Sequence, residues 1–208
     1  MSEDLKPQQR SIYARQRRVA ELVDRRVDSL LSQLKADSGS ARATLAALRN
    51  AIADAPGSKP ELWDITSVHM MDGEVVSDDP TWDEIAVHSA LCLFARHQQS
   101  RTEPMHRAGF SFGQAAKRLV LARQEEETGG VRSRFNAAAT SISVEELVRH
   151  LSSIVAQLRD ENIPLDYGAL AEDIFRFQVP GGANTVRLHW ARQYAQQIKK
   201  TSEESNEK

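Results

Sequence analysis

The chain has little of three things whose absence narrows its function: cysteine, aromatic side chains and an excess of charge of one sign. Its single cysteine, Cys92, excludes an internal disulfide and is typical of a reducing compartment, so we expect a cytoplasmic protein. The 27 basic and 29 acidic residues nearly cancel, so the mean charge predicts no nucleic-acid partner. No apolar run approaches the roughly 20 residues that span a bilayer, and the polar amino end lacks the apolar core of a signal peptide. The sequence therefore predicts no membrane association.

Motifs of catalytic chemistry are also missing. The histidines are scattered without an HExxH pattern, and the sequence has no cysteine pair for zinc, no phosphate-binding glycine loop and no GxSxG nucleophile turn. His88 and Cys92 lie one helical turn apart, but such a pair inside an apolar helix is more typical of a core than of a metal site. Glu172 and Asp173 lack a second carboxylate pair for metal-assisted nuclease chemistry. We therefore predict a protein that is not an enzyme and that uses no metal or cofactor.

Helical periodicity accounts for nearly all of the chain. Alanine, leucine, glutamate and arginine are common and aromatic residues make up only 6%, a composition that favours helix. Apolar residues at helical spacing predict a first helix over residues 11–35, and the near-continuous apolar segment 85–95 predicts a helix buried on most sides. We predict an all-α fold of about nine helices in two packed bundles. The Glu- and Gly-rich segment 125–130 would separate an amino-terminal domain, residues 1–127, from a carboxy-terminal domain, residues 128–208.

The most strongly specified segment is a helical hairpin over residues 143–178. The apolar stripe of its first arm consists of Leu147, Leu151, Ile154, Val155 and Leu158. Ser143 followed by Glu146 forms a capping-box pattern at the start of that arm. Ile142 and Leu147 stand where a hydrophobic staple would form. Asp166 is the predicted cap of the second arm, so both helix starts are encoded locally.

Other helix ends carry similar signals. Asn162 suits the left-handed conformation that often follows a helix, here after the first arm of the hairpin. Pro164 prevents that helix from continuing. Asp79 is the predicted cap of the apolar helix, with a proline at its first position. Ser111 with Gln114 forms another capping-box pattern. The only β-like fragment is residues 74–76.

Clustered basic charge is the remaining functional signal. Between residues 101 and 123, five basic residues occur with a single acidic one: Arg101, Arg107, Lys117, Arg118 and Arg123. Arg132, Arg134 and Arg149 form a second group, and the segment 10–35 has seven basic and three acidic residues. Such surfaces can follow a phosphate backbone without reading bases. The alternative is an ordinary solvated surface in which these side chains form salt bridges, such as Arg149 with Glu145 or Glu146.

Several short segments occur together in a specific order. They are Gly39-Ser40-Ala41-Arg42-Ala43, the apolar helix 86–94 with His97-Gln98-Gln99, Gly109-Phe110-Ser111-Phe112-Gly113, Arg134-Phe135, Arg149-His150-Leu151, Pro164-Leu165-Asp166-Tyr167 and Trp190-Ala191. In order and spacing these segments resemble the CasB family, the small subunit of the type I-E CRISPR surveillance complex (Cascade). The resemblance covers most of the chain from about Ser38 onward.

The resemblance implies an all-helical protein of two domains without catalysis of its own. Its implied partners are the other Cascade subunits, the crRNA, a second copy of itself and the displaced non-target DNA strand, which it would hold in the R-loop through backbone contacts. Guide pairing would then read the sequence. The candidate nucleic-acid-binding residues are Arg42, Arg107, Lys117, Arg118, Arg123 and Arg134. The expected core residues are Phe112, Phe135, Leu151, Tyr167 and Trp190.

Two other functions stay open at this point. A helical transcription regulator would read duplex DNA with the hairpin 143–178 as a helix-turn-helix. A helical enzyme would use scattered groups such as His97 and Asp173.

Overall fold

Nine α-helices account for most of the residues that the computed structural model describes, which are 7–68, 78–126 and 129–196. In chain order they are α1 (Pro7–Lys35), α2 (Gly39–Asn50), α3 (Trp63–Thr66), α4 (Trp82–His97), α5 (Phe112–Ala122), α6 (Gly130–Ala139), α7 (Val144–Asp160), α8 (Tyr167–Gln178) and α9 (Gly182–Ala195); a 3-10 turn, Pro60–Leu62, precedes α3. The described residues contain no β-strand, so the predicted all-α fold is confirmed, and the β-like fragment 74–76 lies outside them. No helix among them combines the length and the apolar character that crossing a membrane requires.

The core is organised around α4, which packs against α1, α2, α7 and α8. All of its residues from Ala86 to Ala95 are buried, as their near-continuous apolar sequence predicts. His88 Nε2 lies 3.0 Å from the carbonyl oxygen of Ala51 and 3.6 Å from the sulfur of Cys92. Burial lowers the pKa of His88 and raises the pKa of Cys92 to about 12, so both side chains are neutral members of the core at pH 7.

Helices from both predicted domains contribute to the same core. α1 packs along α8 and buries Val19, Val23 and Val27. One contiguous cluster of buried side chains includes residues of α1, α2, α4 and α5 together with residues of α6 to α9. The domain division at residue 127 and the separation into two bundles stay predictions.

The predicted hairpin is formed by α7 and α8, and its apolar stripe is buried at every position. The hydroxyl of Ser143 accepts a hydrogen bond from the Glu146 amide at 3.2 Å, as predicted. The Glu146 carboxylate, however, accepts from the amide of Ile142 at 2.9 Å. The predicted staple is wrong, because Ile142 is 93% exposed while its neighbour Ser141 faces inward. Asp166 caps α8 as predicted, accepting from the Ala169 amide at 2.9 Å.

The predicted left-handed conformation of Asn162 is confirmed, at φ 53°. Two other predicted helix starts need correction. α4 begins at Trp82 and not at Pro80, because a capping box between Thr81 and Glu84 satisfies its first amides. Ser111 occupies the cap position of α5 without making a cap hydrogen bond. A side chain of α9 replaces it, since Gln193 accepts from the amide of Gly113 at 3.1 Å.

Candidate nucleic-acid interface

A buried group of aromatic rings joins α5, α6 and α9. The ring of Phe112 lies 4.5 Å from that of Trp190 and 5.5 Å from that of Phe135, measured between centroids. Phe135 in turn stacks on Tyr194 at 5.2 Å. The prediction that Phe112, Phe135, Leu151, Tyr167 and Trp190 belong to the core is confirmed, since all five are buried. Trp190 therefore has no exposed ring on which a base could stack.

The crossing of α5 over α9 depends on Gly113. A Cβ at this position would lie 2.5 Å from the carbonyl oxygen of Trp190 and 2.9 Å from the amide nitrogen of Tyr194. Only glycine lets the two backbones approach this closely. The close crossing brings the side chains of α5 over the carboxy-terminal turn of α9.

Cationic side chains lie over two aromatic rings at this crossing. The guanidinium carbons of Arg107 and Arg118 lie 4.6 and 4.4 Å from the ring centroid of Phe110. The ammonium of Lys117 lies 5.0 Å, and the guanidinium carbon of Arg132 lies 4.3 Å, from the ring centroid of Tyr194. These distances are within the range of cation–π attraction. We refer to the six residues Arg107, Phe110, Lys117, Arg118, Arg132 and Tyr194 as the basic face.

Arg107 and Arg118 are close enough to influence one another. The pKa of Arg118 is lowered, first by its partial burial and second by the nearby charge of Arg107. The Nη1 nitrogen of Arg118 is buried and has no hydrogen-bond partner among the described residues. Two like charges with an unpaired buried donor form an arrangement that a bound anion would stabilise.

The loop that carries Arg107 and Phe110 is fastened to the start of α8. The Arg107 amide donates to the carbonyl of Leu165 at 3.2 Å, and the Asp166 amide donates to the carbonyl of Phe110 at 2.8 Å. Gly109, at φ 81°, donates its amide to the Asp166 carboxylate at 2.7 Å. Hydrogen bonds within the chain therefore hold the backbone of the loop at Arg107, Gly109 and Phe110.

Two of the six candidate residues, Arg107 and Arg118, come together on the Phe110 ring, and a third, Lys117, shares the Tyr194 ring with Arg132. Arg42 lies on α2 and forms an ion pair with Asp37. Arg123, at the far end of α5, bonds to Glu161 at 3.0 Å and to Gln157 at 2.8 Å. Arg134 is exposed on α6, with its guanidinium beside Gly130. The sequence indicated Arg132 only as a member of a basic group, and it gave no sign of a site role for Phe110 or Tyr194, since that role depends on contacts between distant segments.

The Arg-rich segment of α1 has internal partners. Arg15 and Arg18 both pair with the buried carboxylate of Asp83. Arg26 donates to the carbonyl of Ser67, and burial lowers its pKa to about 10. Much of the local positive charge that the sequence indicated there therefore holds α1 to the rest of the fold.

Three potential metal ligands, Asp24, His106 and Asp166, offer atoms within 4.8 Å of one another. His106 Nδ1 accepts a hydrogen bond from the Tyr167 amide at 3.1 Å, so the proton of the neutral ring is on Nε2. That nitrogen faces Asp24 at 3.7 Å and has no lone pair for a metal. Both carboxylate oxygens of Asp166 already accept backbone hydrogen bonds. This cluster is best described as a polar joint between α1, the loop and α8.

The residues on which the two alternative functions would depend also make contacts within the core. His97 is fully buried, and its Nδ1 nitrogen lies 2.9 Å from the hydroxyl oxygen of Tyr167. Burial lowers the pKa of His97 to about 3. Asp173 accepts the indole N–H of Trp190 at 2.6 Å. α8, which a helix-turn-helix would insert into DNA, lies between α1, α4 and α9. His97 and Asp173, the residues suggested for an enzyme, are therefore not accessible, and the exposed positions of the hairpin's helices, such as Glu145 and Arg149, lie on α7 and not on α8.

Comparison with known proteins agrees with this architecture. The family model described as CRISPR-associated protein Cse2 matches residues 44–194. The crystal structure of CasB from Thermobifida fusca is similar with a TM-score of 0.70 and 33% identity, over 85% of this chain and 97% of that one. A chain of a CRISPR RNA-guided surveillance complex is similar in fold, with a TM-score of 0.57 and 19% identity over 85% of this chain and 92% of that one. No curated protein matches the sequence.

Proposed function

The chain belongs to the CRISPR-associated Cse2 family, and on that premise we propose that it is a nucleic-acid-binding small subunit of a type I-E CRISPR surveillance complex. In this role it catalyses no reaction. It assembles in the cytoplasm with the other Cascade subunits, the crRNA and a second copy of itself. It stabilises the R-loop by holding the displaced non-target DNA strand.

The basic face is the observation that carries this proposal. It presents Arg107, Lys117, Arg118 and Arg132 on a rigid support at the crossing of α5 and α9. Fixed cations of this kind attract a phosphate backbone whatever its base sequence. A strand that leaves the duplex during guide pairing offers such a backbone, since the guide and not the protein reads the sequence.

The chemistry of the face favours backbone contacts over base readout. Single-strand readers of sequence stack bases on exposed aromatic rings. Here the Tyr194 ring is buried, at 6% exposure, and the Phe110 ring already carries two guanidiniums. The face therefore offers charge rather than a stacking platform, and we expect binding that is tolerant of sequence and steeply dependent on salt.

The experiment is a double charge reversal, Lys117→Glu with Arg118→Glu, in the assembled complex. Retention of the displaced strand should fall by about tenfold or more at moderate salt, because two phosphate contacts become repulsive. The matched control reverses two exposed cations of α1, Arg25→Glu with Lys35→Glu, which alters net charge equally. Assembly of both variants is checked by co-purification. Retention equal to the wild type in the α5 variant would contradict the proposal.

A further inference from the structure

We propose that Phe110 is a positioning residue which, with Arg107 and Arg118, forms a preorganised site for phosphate groups of a nucleic acid strand. The inference rests on the proposed function and deepens it, since it assigns a role to an uncharged side chain. The ring would hold two guanidiniums near each other without neutralising either of them.

The first support is the geometry at the ring. Both guanidinium carbons lie within 4.6 Å of the Phe110 centroid, although the two charges repel each other. Attraction between each cation and the face of the ring offsets part of that repulsion. Phe110 thus performs the task that an acidic side chain performs in a salt bridge, but leaves both positive charges unpaired.

The second support is the absence of an internal counter-charge. Among the residues that the structure describes, neither Arg107 nor Arg118 forms an ion pair with an acidic group. Arg15 and Arg18 show the opposite arrangement, because the buried Asp83 lies between them. The Arg107–Arg118 pair is therefore incomplete within the chain, and its buried Nη1 donor on Arg118 lacks an acceptor.

The third support is rigidity. The Phe110 carbonyl accepts from the Asp166 amide at 2.8 Å, and its own amide donates to the Arg107 carbonyl at 3.2 Å. The backbone of Phe110 is thus fastened to the start of α8, and Arg118 projects onto the ring from α5. A site held in place before binding loses less conformational entropy when its ligand arrives.

The occupant that fits is a nucleic acid rather than an acidic protein segment. Lys117, the neighbour of Arg118 in α5, and Arg132 extend the positive charge over the adjacent Tyr194 ring. Four cations, two over Phe110 and two over Tyr194, match a regularly charged phosphate chain. Protein interfaces of comparable strength are centred on apolar and aromatic anchors that insert into pockets.

The test compares Phe110→Leu with Phe110→Tyr in the full chain, using a labelled single-stranded DNA of mixed sequence and a series of salt concentrations. Phe110→Leu keeps every charge but removes the ring, so affinity should fall about fivefold. The slope of log affinity against log salt should also fall by about 1, since phosphate contacts are lost. Phe110→Tyr should restore both quantities. A merely structural role would lower the melting temperature without changing the slope.

Two controls separate the possible failures. Tyr13→Leu removes the ring under Arg176, a cation–π pair between α1 and α8, and should leave DNA binding unchanged. In an Arg107→Ala, Arg118→Ala background, Phe110→Leu should have no further effect, because Phe110 acts through these arginines. If the double arginine variant weakens DNA binding and Phe110→Leu alone does not, the positioning role is wrong and the proposed function stands. If the double arginine variant instead loses only its protein partners, the occupant is an acidic protein surface and the inference is overturned.

Discussion

Two pairs of arginines in this molecule are held in different ways. Arg15 and Arg18 of α1 converge on the carboxylate of Asp83, which is 2% exposed. Arg107 and Arg118 converge on the ring of Phe110. The carboxylate offsets one of the two positive charges and ties α1 to α4. The ring orients its pair and leaves the charge available to a ligand. An arginine pair that shares a carboxylate is thus a structural contact, whereas a pair that shares an aromatic ring can bind an anion.

The largest effect should come from removing the carboxylate that holds the first pair. Asp83→Ala leaves Arg15 and Arg18 without their buried counter-charge, and we expect a loss of about 3 kcal/mol in the free energy of unfolding. Urea denaturation measures this loss. DNA affinity of the folded variant should stay unchanged; a stable variant with weakened DNA binding would show that the two pairs are not distinct in function.

The next effect concerns the support of the basic face. Gly113→Ala forces α5 away from α9, because the new Cβ meets backbone atoms of α9, and it should destabilise the fold by about 2 kcal/mol. Lys117 should also lose its position over Tyr194. Thermal unfolding and DNA binding are both measured. Gly39→Ala is the control, since its Cβ would meet nothing within 4 Å.

A third substitution gives Arg107 and Arg118 a carboxylate partner like the one that Arg15 and Arg18 share. Phe110→Asp places a carboxylate between Arg107 and Arg118, and DNA affinity should fall about twentyfold because internal charge replaces the phosphate. Phe110→Asn removes the ring without adding charge and should cost only about fivefold. Equal affinities of the two variants would show that the counter-charge is not the deciding difference.

The smallest effect concerns a third pair, between the exposed His189 and the buried Asp173. The hydrogen bond to Asp173 raises the pKa of His189 above its usual 6.5. Because the folded value is the higher one, this contribution to stability is complete below pH 6.5 and disappears as the pH rises through the folded value. His189→Gln should therefore flatten a slight decrease in stability between pH 6 and pH 8. An unchanged pH profile would mean that the pair contributes nothing measurable.

The helices were largely predictable because each is specified by its own spacing. The stripes of α1 and α7 and the cap at Asp166 are local signals, and the structure confirms them. Local signals failed where a competing partner was available. Thr81 provides a better cap for α4 than Asp79 does, and Gln193 of α9 replaces the cap expected from Ser111.

The site was only partly predictable, since charge clusters can be counted in a sequence but their partners cannot be identified there. Lys117 and Arg118 stood out as neighbours in one helix. Nothing local indicated that Tyr194 would lie under Lys117, or that Asp83 would pair with arginines 65 and 68 positions away. Those outcomes depend on how the helices pack.

Site-directed crosslinking in the assembled complex can show whether the basic face contacts the displaced non-target strand. Leu121 is 56% exposed on α5, one helical turn from Lys117, so a photoreactive phenylalanine derivative in its place leaves all cations of the basic face intact. The same group in place of the exposed Ile142 serves as the control. We expect position 121, and not position 142, to crosslink to the displaced non-target strand once target DNA is bound. Crosslinks from position 121 only to protein subunits or to the guide RNA would contradict it.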